Sequence, residues 1–285
     1  VFQCEKILII GAESYIGTSL EKWLSRYPLE YNIETIDVRL DDWRNEDFSS
    51  FDVAFHVAGI ADVKETRSNR QLFYRVNRDL AYEVALKAKS EGVKQFMFVS
   101  SISVYGLQKG VIDKNTPLEP RTSYGKSKLE AEKLVKSLED HRFTVTILRP
   151  PMVYGKGCKG NYPRLAKLAL IAPVFPDIDN KRSMIHIDNL CEFVKVLIDN
   201  RLGGTFFPQN PEYVKTSEMV RLIARSHGKE IRLTRIFNPI IKMLRIPVVT
   251  KVFGDLVYSK DLSSSGLEVR MISLEESIHR TSSLQ

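Results

Sequence analysis

The sequence predicts an α/β fold: a doubly wound parallel sheet followed by a small, mostly helical C-terminal lobe. Three observations predict it. Short apolar runs rich in Val, Ile and Phe alternate with helical segments through residues 5–150, the pattern of βαβ units with strands buried on both faces. The first run, "KILII" at 6–10, passes directly into "GAESYIG" at 11–17, with glycines where a strand turns tightly into a helix. Beyond residue 150 the alternation stops. Pro150 and Pro151, then Gly155, Gly157 and Gly160, mark a long loop, and the later periodicity is helical.

Each element follows from its own stretch. Residues 6–10 are a buried strand and 15–26 a helix; "IETIDV" (33–38) and "DVAFHVAG" (52–59) are strands. A long helix spans 69–92, "QFMFVSS" (95–101) is a strand, 124–141 a helix and "FTVTILRP" (143–150) a strand. In the second half, helices are expected at 162–171, 188–199 and 216–227 and a strand at 204–207. The reading is therefore a domain at 1–150 and a smaller lobe at 151–285, with some segments of the lobe returning to the sheet. At 285 residues with 43% hydrophobic content, the chain is long enough for both.

Composition narrows the partners. The net charge is +7, but Lys and Arg are scattered rather than massed. That argues against nucleic acid, which calls for a basic stripe or a recognised motif. It suits a phosphate-bearing ligand or an anionic membrane surface. Cys4, Cys158 and Cys191 are far apart and odd in number. They make neither a disulfide framework nor a metal site, and point to a reducing cytoplasm. No signal-peptide pattern or membrane-length apolar run is seen. Residues 237–258 are apolar with interspersed Lys and Arg, and read either as a packed helix and loop or as a patch touching a membrane or a lipid-linked substrate.

Ligands of such sheets bind beyond the carboxyl ends of the strands. At the first end, Gly11 and Gly17 permit the tight turn and close helix packing, while Ser14 stands where a middle glycine is usual. Its hydroxyl is able to donate to a phosphate oxygen. Asp37, 20 positions after Gly17, ends the second strand, where a carboxylate accepts from an adenosine ribose. It disfavours a 2′-phosphate and hence favours NAD over NADP; Arg39, two residues on, tolerates that phosphate. Either residue alone is equally a turn carboxylate and a solvated charge. Further on, "YGKSK" places Tyr124 and Lys128 one helical turn apart. The ammonium lowers the phenol pKa from its usual value of about 10, so that Tyr124 can move a proton as hydride moves at the same carbon. Ser101, 23 residues before Tyr124 in "FVSSISVYG", sits at a strand end. It serves there to orient the reacting oxygen, or simply as a cap.

"IIGAESYIG", "FHVAG", "FVSSISVYG", "YGKSK", "LRPPMVYG" and "RSMIHIDNL" occur in that order. Over residues 5–260 the chain resembles the extended short-chain dehydrogenases/reductases, with their Rossmann-like doubly wound parallel sheet. The nearest likeness is to the NAD-dependent nucleotide-sugar epimerases and dehydratases. The resemblance implies a pyrophosphate loop of Gly11, Ser14, Tyr15, Ile16 and Gly17, with Asp37 and Arg39 at the adenosine ribose. It places Asp42 and Trp43 at the adenine edge, and Val57, Ala58, Gly59, Asn77, Ser100, Pro151 and Met152 along the rest of the cofactor. Ser101, Tyr124 and Lys128 become the catalytic triad. Ser101 and Ser103, with Asn161 and Arg182, become substrate contacts, and the C-terminal part becomes a substrate lobe.

Dehydratases of the family carry Asp-Glu right after the triad hydroxyl; here Ile102 and Ser103 stand there, and neither does that acid–base work. The resemblance then implies NAD-dependent 4-epimerisation of a nucleotide sugar of UDP-glucose or UDP-N-acetylglucosamine type. The alternatives are NAD(P)H-dependent 4-keto-sugar reduction, a polyprenyl-diphosphate-linked substrate, and a non-catalytic dinucleotide-binding regulator. Relatives of that last kind lose the Tyr or Lys retained here. Family members commonly pair as homodimers through the "YGKSK" helix and the long helix before it.

Overall fold

The computed structural model describes residues 4–61, 63–243, 247–264 and 266–282. β1 (Glu5–Ile10), α1 (Tyr15–Leu24), β2 (Tyr31–Ile36), β3 (Val53–His56), α2 (Arg70–Tyr74) and α3 (Leu80–Ser90) lead to β4 (Gln95–Val99). There follow β5 (Gly110–Ile112), α4 (Ser123–Lys136), β6 (Thr144–Leu148), β7 (Met152–Tyr154), α5 (Asn161–Ile171), β8 (Val174–Pro176) and β9 (Met184–His186). The remaining elements are α6 (Ile187–Asp199), β10 (Gly204–Phe206), α7 (Thr216–Ser226), β11 (Arg232–Thr234), α8 (Asn238–Met243), α9 (Pro247–Phe253), β12 (Leu256–Tyr258), α10 (Lys260–Ser263) and α11 (Leu274–Ser282).

The chain divides into two compact units. The first holds the residues up to Gly106, Pro117–Pro150 and Cys191–Pro208; the second holds Leu107–Thr116, Pro151–Leu190 and the residues from Gln209 onward.

In the first unit six parallel strands lie in the order β10-β6-β4-β3-β1-β2. β3 and β4 are buried along their whole length, which is why their sequences are continuous apolar runs rather than alternating ones. On one sheet face Leu8, Ile10, Ala54, Phe96 and Phe98 pack with Ala81, Val84, Ala85 and Ala88 of α3 and with Ala131 and Val135 of α4. The alanine row of α3 lets that helix lie close to the aromatic side chains of β4. Since β2 and β3 flank β1 on opposite sides, the winding reverses there. The carboxyl ends of β1 and β3 flank that reversal, the usual ligand position in such sheets.

The helix expected over 69–92 runs unbroken from Arg70 to Ser90 as α2, a π-turn at Arg75–Asp79 and α3; such a turn is a feature concentrated at functional sites.

The second unit contains three two-stranded parallel sheets, β5 with β12, β7 with β9, and β8 with β11. These strands are three residues long, too short to leave a readable alternation. A buried polar cluster lies within this unit. The Tyr154 hydroxyl accepts from Asn210 Nδ2 at 2.9 Å and bonds Ser277 Oγ at 2.7 Å. The stretch 237–258 folds as α8, α9 and β12, with 244–246 outside the described residues. Among the described residues no helix is long and apolar enough to cross a membrane.

Candidate active site and cofactor cradle

The cradle begins where β1 ends. Gly11 has φ +127°, and a Cβ there would stand 2.8 Å from the Ala58 nitrogen. Only glycine permits the β1 and β3 loops to meet this closely. Ser14 is the N-cap of α1, its Oγ accepting from Gly17 N at 3.0 Å. A Cβ on Gly17 would lie 2.5 Å from that oxygen. Ser14 therefore replaces a glycine with a capping bond, and its hydroxyl proton remains able to donate outward. Tyr15 and Ile16 are half-buried in the first turn of α1.

At the end of β2, Arg39 forks onto Asp37 with bonds of 2.6–3.0 Å and reaches Glu13 at 2.9 Å. Hydrogen bonds from Arg39 hold the Asp37 carboxyl below its usual range, and the same pairing raises Arg39. Asp37 also accepts from the Arg39 backbone, so it is a turn carboxylate as well as a candidate ribose ligand. Asp42 is exposed on the 3-10 turn Asp41–Asn45. Trp43 departs from the expectation. It is 2% exposed and packed in the core with Leu8, Ile10 and Phe48. Covered in this way, the indole has no free face for an adenine, and its role is packing.

At the end of β3, Val57 and Ala58 continue the cradle wall and Gly59 is exposed. Asn77, fully buried in the π-turn, accepts from Ile60 N at 2.9 Å, donates to Ile60 O at 3.0 Å, and donates to Ser127 Oγ at 3.3 Å. It ties the loop after β3 to α4 one residue from Lys128. His56, the last residue of β3, is fully buried, and neither ring nitrogen has a hydrogen-bond partner among the described residues. It stacks near Phe96 and Phe98, and burial pushes its pKa down to about 3.

Two contacts bring the proposed triad to the carboxyl end of β4. A Cβ on Gly125 would stand 2.6 Å from the Ser103 carbonyl oxygen, so the glycine of "YGKSK" lets the first turn of α4 press against the loop that carries Ser101. Lys128 Nζ donates to the Val99 carbonyl at 2.8 Å, two residues before Ser101. Lys128 is 5% exposed, and burial pushes its pKa down to about 8. Tyr124, one turn earlier on the same helix face, is half-buried. Ser101 caps the 3-10 turn Ile102–Tyr105 by accepting from Ser103 N at 3.1 Å, and its hydroxyl donates to Ser103 Oγ at 3.1 Å. Its reading as a cap is met in this way. Ser100 differs: it is 3% exposed and its hydroxyl donates to Glu132. That hydroxyl proton serves the interior, and the oxygen keeps its capacity to accept.

Sequence reasoning passed over Glu65, which accepts from Ser123 N at 2.9 Å and Ser123 Oγ at 2.8 Å and fixes the start of α4. It also passed over Glu132 and Arg149, a buried ion pair at 2.6 Å. Charged residues at helical spacing look like solvated surface unless the partner strand is known. In the second unit Pro151 is buried and Met152 half-buried at the start of β7, and Asn161 is exposed in the first turn of α5. Arg182 Nη1 donates to the Gly254 carbonyl at 3.0 Å, and burial lowers the guanidinium pKa against a partial rise from Asp255.

The first unit thus presents a helix N-terminus after β1, a carboxylate after β2 and a buried ammonium after β4. These suit, in that order, a pyrophosphate, an adenosine ribose and a nicotinamide ribose. The described residues contain no cluster of His, Cys, Asp or Glu able to hold a metal ion.

Comparison with known proteins agrees with this geometry. N-acetyl-α-D-glucosaminyl-diphospho-ditrans,octacis-undecaprenol 4-epimerase of Escherichia coli O157:H7 is 29% identical over 221 residues, covering 70% of this chain and 65% of that protein's length. UDP-glucose 4-epimerase of Vibrio cholerae is 32% identical over 250 residues, covering 77% of this chain and 75% of the relative. The crystal structure of UDP-glucuronic acid 4-epimerase from Bacillus cereus with UDP-glucuronic acid and NAD superposes with a TM-score of 0.75 at 20% identity, covering 98% of each chain; it shares the fold. Residues 7–206 match the model of the NAD dependent epimerase/dehydratase family, and the chain belongs to that family of NAD-dependent enzymes.

Proposed function

We propose that the chain interconverts nucleotide sugars epimeric at C4, of UDP-glucose or UDP-N-acetylglucosamine type, using tightly held NAD. The observation that carries this reading is the buried Lys128 ammonium, one helical turn from Tyr124 and bonded to the Val99 carbonyl two residues before Ser101. The Lys128 charge holds Tyr124 as a phenolate, which takes the proton from the C4 hydroxyl and becomes a phenol. Ser101 hydrogen-bonds the C4 oxygen as it becomes a carbonyl. NAD, when bound, would supply a reversible acceptor for the C4 hydride. Tyr124 returns its proton once the keto-sugar has turned its other face, so the sugar gains and loses nothing. The remaining cofactor contacts are proposed at Gly11, Ser14, Tyr15, Ile16, Gly17, Asp37, Val57, Ala58, Gly59, Asn77, Pro151 and Met152. Ser103, Asn161 and Arg182 are the proposed substrate contacts. The named activity of the Vibrio cholerae relative supports the reading.

The test is a panel of UDP- and dTDP-sugars incubated with the purified protein and no added cofactor. C4-epimeric product without net NADH change is the expected result. Turnover only of keto-sugars, and only with added NAD(P)H, would make the chain a reductase instead.

A lipid-linked substrate is the second reading. It is favoured by the undecaprenol-linked substrate in the Escherichia coli relative's name, and by Ile171, Ile236 and Met243, which are 67–79% exposed in the second unit. A homodimer through α2, α3 and α4 is supported by exposed Leu72, Leu86 and Leu134 on those helices; light scattering at twice the chain mass is the expected result. Three free cysteines suit a cytoplasmic location.

A further inference from the structure

Glu132 lies four residues beyond Lys128, on the same face of α4, and is 3% exposed. Its carboxylate accepts from Arg149 Nε at 3.0 Å, from Arg149 Nη2 at 2.6 Å, and from the Ser100 hydroxyl. Arg149 Nη1 donates to the Tyr105 hydroxyl at 2.9 Å, and the guanidinium lies over the Tyr105 ring at 5.3 Å. A buried ion pair is a poor stabiliser, since well-packed apolar residues commonly do as well. Yet each partner here is attached to the proposed triad. Ser100 precedes Ser101, Tyr105 ends the turn that Ser101 caps, and Glu132 continues the line Tyr124–Lys128 by one turn.

We propose that Glu132, clamped by Arg149 and Ser100, is a positioning residue for the Tyr124–Lys128 pair: its fixed negative charge holds Lys128 as an ammonium, and the clamp keeps the carboxylate from closing onto it. The inference rests on the catalytic reading of Tyr124 and Lys128 given above. The surroundings of Lys128 leave this task to Glu132. From β3 it meets His56, which burial keeps neutral. From β4 it meets the Val99 carbonyl and the Phe98 ring at 4.6 Å. On α4 itself, Tyr124 and Glu132 lie one turn to either side of it, and Glu132 acts on it through its charge. Burial lowers the Lys128 pKa, and Glu132 is the charge that opposes that fall. Glu132 in turn faces Lys128, Arg149, Ser100 and Tyr105. Were it free to reach Lys128 directly, the resulting pair would cancel the positive charge that the proposed phenolate needs. The fork from Arg149 holds it one turn away.

The experiment titrates the purified protein, without substrate, by NMR of ε-13C-labelled lysine. One resonance should titrate near the value of about 8 expected for Lys128 and vanish in Lys128→Arg. In Glu132→Gln it should move down by about one unit or more, a roughly tenfold loss of ammonium near its midpoint. Glu132→Asp should stay within a few tenths of a unit of wild type, as about the same charge remains. An unmoved resonance in Glu132→Gln, or equal shifts in the Gln and Asp variants, overturns the proposal. Should Glu132→Gln not fold, Arg149→Lys decides. It keeps the charge but loses the fork, so the Lys128 resonance should titrate higher and kcat should fall with KM unchanged; an unmoved titration overturns the clamp. Since the titration needs no turnover, a protein with no epimerase activity would refute the functional reading and leave this result standing.

Discussion

The roles proposed for Tyr124 and Lys128 depend on protonation state, and through Lys128 pH moves activity and stability in different directions. Tyr124→Phe should lower turnover by a factor of about 10²–10⁴, the usual range for a lost acid–base group, while NAD binding measured by fluorescence quenching is kept. A dinucleotide-binding regulator would show no such loss. With its pKa lowered to about 8 from 10.5, Lys128 loses its charge as pH rises past 8, so kcat/KM should decline on that limb. The stability effect has the opposite sign. The buried ammonium disfavours the fold below about 8, and this cost fades as pH climbs toward 10.5. His56 carries the acid side. Its pKa falls from 6.5 to about 3 on burial, so from pH 6.5 downward the unfolded chain takes up a proton that the folded chain refuses. The expected loss is about 2 kcal/mol by pH 5. Urea midpoints of wild type should therefore drop between pH 7 and 5 by more than those of His56→Leu; parallel curves would refute this role of His56.

At the scale of elements, Ser14 shows how a turn that departs from the three-glycine pattern keeps its helix start. Its Oγ caps α1 through Gly17 N, so Ser14→Ala should cost about 1 kcal/mol and Ser14→Gly only a few tenths. Neither should alter NAD affinity much if the backbone of the turn does the binding. A tenfold gain in affinity for Ser14→Gly would show that the serine obstructs the phosphate. The strands and helices of the sheet were readable because β1, β3 and β4 are mostly apolar, β6 is rich in β-branched residues, and α1 and α4 start at side-chain caps. The π-turn at Arg75–Asp79 was not readable. A π-turn adds one residue to a helical turn without changing residue type, and only the three bonds of Asn77 reveal why it is there. Trp43 misled for a related reason, since an aromatic residue beside a cofactor motif and one packed under it have the same letter.

At the scale of the molecule, the six-stranded sheet followed from alternation, whereas three-residue strands of the second unit carry no period from which to infer their pairing. That same unit holds the apolar surface most relevant to the choice between a free and a lipid-linked sugar. β8 and β11 pair, with Val174 opposite Arg232, and Asn238 Nδ2 binds the Asp177 carbonyl at 2.9 Å. Ile171, Val174, Ile236 and Phe237 are therefore carried by neighbouring elements, and all are exposed, as are Arg164, Lys167, Lys229, Arg232 and Arg235. Apolar side chains among cations suit the interface of an anionic bilayer, where burial and charge attraction add. With a net charge of +7, the electrostatic part should weaken as salt shortens the screening length from about 10 Å at 0.1 M to about 3 Å at 1 M. The protein should thus co-sediment with phosphatidylglycerol vesicles at low salt and much less with phosphatidylcholine. Ile236→Glu/Phe237→Glu should abolish the association, while turnover of soluble UDP-sugars stays at wild-type level. Binding that ignores lipid charge and salt, or that survives the double variant, would remove the membrane from the account and leave a soluble nucleotide sugar as the substrate.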